Sequence, residues 1–289
     1  MKIPLDTIKS DFGGFKAIAS IAAKTQKVQQ ESVTLDFSSC RFFEANMSAP
    51  LYAVISQLKS ASNDVSIENV PQGISTILQK NKFLTHFNRA AMRDFNQTTL
   101  PFHIFTNMEG ELFHEYITNY MQEKGIPAMS KELTKRFRQS LLEIFLNAVL
   151  HAESTSGIFV CGQYYPIKQR LDFTIADAGI GIPENVRRYT QNQVSACDAI
   201  QWAMQEGHTT KTGNQPGGLG LKLIKDFIHI NKGKMQIVSQ SGYYTYSAKE
   251  ESIWDMSHDF PGTCINIEIN TADTSSYCLQ SELTSKDIF

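Results

Sequence analysis

The stretch L-L-E-I-F-L-N-A-V-L-H, residues 141–151, decides how the rest of the chain is read. Its only polar residues are Glu143, Asn147 and His151, spaced four apart. On a helix such residues lie on one side, one above the other. The spacing therefore predicts a helix that is apolar nearly all round and carries one narrow polar stripe. A helix of that kind is buried. A buried carboxylate and a buried amide are costly unless partners satisfy them. Either the stripe is a structural hydrogen-bond network, or it faces a ligand that needs a base and an amide oxygen. The helix alone leaves both open.

Downstream, 158–165 and 170–176 read as strands, the second alternating through Leu171, Phe173 and Ile175. It runs into D-A-G-I-G-I-P, residues 177–183. A carboxylate at a strand end followed by two spaced glycines allows a ligand close to the backbone. Pro183 opens a short helix, and 196–206 reads as another. After the polar stretch 207–215, P-G-G-L-G (216–220) opens an amphipathic helix that ends at Gly233, read as its C′ residue. A glycine-rich helix start leaves free N–H groups for an anion. No G-K-[ST] follows these glycines, which excludes the P-loop pattern. The glycine helix comes late and after a loop, which excludes the Rossmann fingerprint.

Upstream, the first third alternates strands and helices. Strands are expected at 3–5, 32–37 and 65–70, and helices at 9–30, 46–59 and from Pro71 to Leu78, which makes a small α/β layer. The polar stretch 89–99 reads as a linker. A strand at 100–105 and a helix at 110–123 follow, and Ser130 stands as N-cap of the helix that leads into 141–151. The tail 271–289 is polar, without a period, and is expected to be flexible.

The chain has 289 residues and a formal net charge of −2. That length suggests two domains, and the charge argues against nucleic acid or an anionic membrane as the main partner. No run approaches the ~18 apolar residues of a membrane span. The start M-K-I-P-L-D-T has no apolar stretch after its lysine and does not read as a secretion signal. Five scattered cysteines without a C-x-x-C pair read as reduced thiols, so a cytoplasmic location is expected.

Taken together and in this order, E-I-F-L-N-A-V-L-H, D-A-G-I-G, G-H-T-T-K and P-G-G-L-G-L resemble the N, G1, lid and G2 boxes of the GHKL ATPases. That superfamily includes histidine kinases, gyrase-type topoisomerases, heat-shock chaperones and anti-sigma kinases. The resemblance covers about 100–270 and implies an α/β sandwich, the Bergerat fold, with one mixed sheet layered on helices. It implies ATP and Mg²⁺ as cofactors. Asn147 would bind Mg²⁺ with the phosphates, and Glu143 would orient or deprotonate the attacking water or hydroxyl. Asp177 would accept from the adenine amino group, while Gly179 and Gly181 let the backbone pass the base. Thr210, Lys211, Gly218, Leu219 and Gly220 would form the phosphate-binding lid and loop. His151 reads as a packed structural neighbour.

V-T-L-D-F-S-S-C-R-F-F-E-A-N-M-S-A-P-L-Y (33–52) is similar to a STAS domain, the fold of anti-sigma-factor antagonists. The implied organisation is a STAS-like domain at 1–88, a linker at 89–99, the ATP-binding domain at 100–270 and a tail. The serine which that family phosphorylates falls at Ala45 or Asn46, and neither position can take a phosphate. Three functional readings follow: slow hydrolysis of ATP by a regulator, a protein kinase, or a nucleotide-sensing module with little turnover. A protein partner bound through the STAS-like part is expected, and a homodimer is compatible with the pattern.

Overall fold

A computed structural model describes residues 1–106, 108–205, 208 and 219–282. The N-terminal part holds β1 (Lys2–Pro4), α1 (Phe12–Thr25), β2 (Ser32–Asp36), α2 (Ser48–Ser60), β3 (Asp64–Glu68) and α3 (Gln72–Lys80). Its strands form a parallel sheet in the order β1-β2-β3. Helix α1 starts late, at Phe12, because the Asp11 carboxylate caps it by accepting from Gly14 N at 2.9 Å. Gly14 belongs there: a Cβ would lie 2.0 Å from the Lys9 carbonyl oxygen.

The second part holds β4 (Thr99–Phe105), α4 (Gly110–Met121), β5 (Ala128–Met129), α5 (Lys131–His151), β6 (Ile158–Tyr165) and β7 (Arg170–Asp177). Then come α6 (Gly181–Thr190), α7 (Ala196–Ala203), α8 (Leu219–Asn231), β8 (Lys234–Ser247), β9 (Glu251–Asn270) and β10 (Ser276–Tyr277). Five strands form one sheet in the order β4-β6-β7-β9-β8. All four of its pairings are antiparallel, where the resemblance implied a mixed sheet; the parallel pairings lie in the N-terminal sheet and between β5 and β10.

The period-2 rule sorts this sheet into two faces. On one face Val160, Phe173, Ile175, Ile237, Ile265 and Ile267 pack with Phe137, Leu141, Ile144 and Phe145 of α5 and with Ile224 and Ile228 of α8. On the other, Phe159, Cys161, Ala176, Val238 and Cys264 join one continuous core with Phe15 and Ile18 of α1 and Leu51 and Ile55 of α2. The segments 1–88 and 100–270 thus share a core, with α1 and α2 lying between the small sheet and the large one.

That second face also carries two polar rows. Thr174, Asn266 and Gln236 are register partners in one row, and Asp172, Glu268 and Lys234 in the next. The loop at 44–46 covers them. Asn46, fully buried, donates to Thr174 Oγ1 (3.2 Å) and Asn266 Oδ1 (3.0 Å), and Asn266 donates to Gln236 Oε1 (2.8 Å). Arg170 bonds Glu44 and reaches Asp172 and Glu268, each at 3.2 Å. Burial pushes the Asp172 carboxyl up, against the pull of Arg170. The loop that the STAS resemblance makes a switch loop is therefore committed to the sheet of its own chain.

Three sequence expectations change. Helix α5 is not apolar all round to no purpose: Leu146 and Leu150 are exposed, at 38% and 62%, so the helix is sheet-packed on one side and open on another. Residue Lys232 (φ 59°), not Gly233, is the left-handed residue after α8. Gly233 is needed for close approach instead, since a Cβ would lie 2.2 Å from the Glu268 carbonyl oxygen. Within the tail, Ser276–Tyr277 pairs with Ala128–Met129, and Ser130 Oγ donates to Glu282 at 2.6 Å, so this part is held rather than free.

Candidate nucleotide site

Ser130 caps α5 by accepting from Leu133 N at 3.0 Å, as its position before K-E-L implies. The helix then presents its polar stripe at its C-terminal half, where Glu143, Asn147 and His151 are all half-buried. Strand β7 ends at Asp177, which is 3% exposed. Its Oδ1 accepts from Gly179 N (2.8 Å) and from Thr263 N (3.3 Å). Burial raises the Asp177 carboxyl to about 7 in spite of these two donors.

The turn after Asp177 is locked to the end of α5. Ile180 N donates to the Ala152 carbonyl at 2.8 Å, and a Cβ on Gly179 would lie 1.8 Å from that same oxygen. Gly181 has φ +80°, which favours glycine. Ser239 Oγ accepts from Ile182 N at 2.9 Å and holds the start of α6.

A cleft of about 130 Å³ opens beside these groups. Ligand pockets for whole drug-sized molecules run to roughly 300–1,000 Å³, so this cleft suits one planar base. Ile144, Ile175, Ile182, Val186 and Ile265 line it, with Asn147, Asp177 and Thr263 as polar groups. The side chain of Asn185 donates to the His151 carbonyl (2.8 Å) and the Gly181 carbonyl (3.0 Å), tying α6 to α5. His151 lines the cleft as well. Trp202 and His208, with ring centroids 4.7 Å apart, complete the lining.

Glu143 does not line this cleft. Its carboxylate turns to the first turn of α8, where a Cβ on Gly220 would lie 2.7 Å from Oε2. Its Oε1 is buried and has no hydrogen-bond partner among the described residues. The stripe thus divides: Asn147 and His151 face the cleft, and Glu143 faces the neighbouring groove between α5 and α8. Thr210, Lys211 and Gly218 lie outside the described residues, and of Leu219 only its place at the start of α8 is described.

The residues fit an adenine nucleotide with a hard cation. A buried carboxylate at an apolar slot suits an exocyclic amino donor, and a carboxylate oxygen one turn from Asn147 with no partner among the described residues suits a protic group. Among the described residues no three His, Cys, Asp or Glu side chains cluster as a metal cage. A cation at Asn147 would draw most of its ligands from phosphate oxygens and water, as Mg²⁺ does.

Sequence reasoning missed Gly262, Thr263, Asn185, Trp202 and His208. For the first two a signal was present: P-G-T interrupts an alternating strand, and a glycine inside a strand marks a bulge or a close approach. The register of β8 with β9 does shift there, between Ser239 and Gln240. Gly262 has φ +78°, and a Cβ would lie 2.4 Å from Asp177 Oδ1.

Residues 132–272 match the family model of histidine kinase-, DNA gyrase B-, and HSP90-like ATPases. This stretch is a GHKL ATPase domain. The chain is also similar to the circadian input-output histidine kinase CikA of Synechococcus elongatus, 32% identical over 108 residues. That alignment covers 37% of this chain and 13% of the relative, so the chain spans only a small part of its length. Among the described residues no helix is long and apolar enough to cross a membrane.

Proposed function

We propose that this chain is an Mg²⁺-dependent ATP-binding regulator that carries out phosphoryl chemistry at the γ-phosphate. The observation that carries the reading is Asp177, buried at the end of β7 beside an apolar slot, with a Glu143 oxygen on the adjoining helix that has no hydrogen-bond partner among the described residues. Asp177 accepts from the adenine amino group, and Gly179 and Gly181 leave the backbone close to the base. The Asn147 amide oxygen would hold the cation. When bound, ATP with Mg²⁺ supplies the transferable phosphoryl group and neutralises its oxygens. Glu143 orients the attacking water or hydroxyl and takes its proton. Positioning and charge stabilisation of this kind are most of phosphoryl-transfer catalysis.

The N-terminal lobe is the self-regulating or partner-binding part in this reading. Its support is that the 44–46 loop is engaged with β7 and β9, the strands that bring Asp177 and Thr263 to the cleft. The test is full-length protein with γ-labelled ATP and Mg²⁺. Glu143→Gln should keep ATP affinity and lose turnover, and Asp177→Ala should lose ATP binding. Equal turnover in Glu143→Gln would remove the base, and unchanged affinity in Asp177→Ala would remove the adenine contact.

A further inference from the structure

Ser239 of β8 stands directly opposite Thr263 of β9 in the register. Residues so paired put their side chains on the same face of a sheet. Thr263 lines the base cleft, and Ser239 lies fully buried behind it.

Three groups surround the Ser239 hydroxyl. It donates to the Gly262 carbonyl at 2.8 Å and accepts from Ile182 N at 2.9 Å. Thr263 Oγ1 lies 3.1 Å away. A hydroxyl has one proton to give and two lone pairs. The Gly262 carbonyl can only accept, so it holds the Ser239 proton. Between the two hydroxyls, Thr263 is then the donor and Ser239 the acceptor. With its proton turned back to Ser239, Thr263 Oγ1 offers the cleft lone pairs alone. Asp177 Oδ1 already accepts from Gly179 N and Thr263 N, which leaves Oδ2 as the carboxylate acceptor for a ligand.

We infer that Ser239 is a positioning residue that sets base specificity: by taking the Thr263 proton it makes this edge of the cleft acceptor-only, matched to a 6-amino purine and set against a 6-oxo purine. This rests on the cleft being the nucleotide site with Asp177 as its base contact. A 6-amino group brings two N–H donors to an edge that carries the Asp177 and Thr263 acceptors. A 6-oxo group sets lone pairs against the Thr263 lone pairs. A site built to pair with a polar group rejects an analogue that lacks it far more strongly than shape alone does. Without the Ser239 hydroxyl, Thr263 rotates freely and its proton can turn to a 6-oxo oxygen.

The experiment titrates full-length protein with ATP and with inosine triphosphate, its 6-oxo counterpart, in Mg²⁺ and well above pH 7, where Asp177 is ionised. Inosine triphosphate is chosen over GTP because it has no 2-amino group to make contacts of its own. Wild type is compared with Ser239→Ala, Ser239→Cys, Thr263→Val and the Ser239→Ala/Thr263→Val pair, with melting curves on the same samples. Wild type should prefer ATP. Ser239→Ala also strips the Ile182 N–H and the Gly262 carbonyl of their partner, which weakens both nucleotides alike and cancels in the ratio of their affinities. That ratio should fall by about tenfold or more in Ser239→Ala. Ser239→Cys fills the same space with a weak acceptor, so it should lower the ratio in the same direction even if the alanine variant does not fold. Adding Ser239→Ala to Thr263→Val should leave the ratio where Thr263→Val alone puts it. A ratio that the Ser239 variants leave unchanged, a further fall in the paired variant, or a wild type that binds both nucleotides equally would each overturn the inference. Failure of wild type to bind ATP would instead overturn the nucleotide reading beneath it.

Discussion

Gly220→Ala is the sharpest test of where Glu143 sits. The new Cβ would lie 2.7 Å from Glu143 Oε2, 3.0 Å from Cδ and 3.1 Å from Cβ. Ordinary contact begins at 3.4 Å, so the carboxylate and the helix start must separate by about 0.7 Å, the difference of those two distances. Alanine is the better helix former by about 1 kcal/mol, so the melting temperature should hold or rise. A misplacement near 1 Å can cost about a hundredfold in rate, so 0.7 Å should lower kcat by about ten- to a hundredfold. The assay is steady-state turnover of ATP, with nucleotide affinity by titration and unfolding by thermal melt on the same samples. Glu143→Asp shortens the carboxylate arm by one methylene and should recover part of the loss in the Gly220→Ala background, a non-additive pair. The reasoning fails if kcat stays within about twofold of wild type. It fails equally if ATP affinity drops while kcat holds, which would make the glycine a phosphate contact alone.

The pH dependence follows from Asp177, whose burial raises its carboxyl to about 7. An amino donor prefers the ionised carboxylate, so ATP affinity should rise as pH climbs through about 7, and Asp177→Asn should flatten that profile in a titration series. For the apoprotein the sign is opposite: a raised carboxyl contributes stability that is full below 3.8 and lost as pH rises through about 7, measurable by melting with and without nucleotide. Gly262→Ala places a Cβ 2.4 Å from the Asp177 backbone and carboxyl oxygens at φ +78°. Strain of that kind costs about 1–3 kcal/mol, so melting should fall by several degrees and ATP affinity with it; an unchanged affinity would show that Asp177 tolerates displacement. Arg170→Ala leaves Glu44 and Asp172 buried without their cation, and breaking such a pair costs about 3–5 kcal/mol. The 20% exposure of the guanidinium argues for the lower end, to be read from urea unfolding, and Asp172→Asn should restore part of it.

The candidate residues stood out in the sequence because they are chemically unusual at short range. Glu143 and Asn147 stand out in an apolar helix, and Asp177 stands at a strand end before two glycines. The position of the N-terminal lobe was not legible. L-D-F-T-I along β7 alternates as a strand with one wet face would, yet Asp172 and Thr174 are fully buried. Alternation reports that two faces differ, not what covers the second. Asn46 and Glu44 hold that answer some 130 residues earlier, and nothing local in either segment names the other. Gly233 was read as a helix stop by position, while the deciding contact comes from Glu268 on a neighbouring strand. Trp202 sits in a helix whose own pattern carries no sign of the cleft, while His208 lies inside the G-H-T-T-K stretch that resembles the lid without having been singled out.

The two polar rows under the 44–46 loop have a practical outcome for dissecting this protein. Cutting the chain at residue 99 would uncover a surface that is neither a wet sheet nor a dry one, with Phe159 and Cys161 beside Asp172 and Asn266. The lobe serves its sheet as a permanently attached subunit would. A lobe variant that lowers turnover is therefore as easily a folding lesion as a broken signal. Melting curves with and without nucleotide separate the two, because a lesion lowers both curves and a broken signal lowers neither.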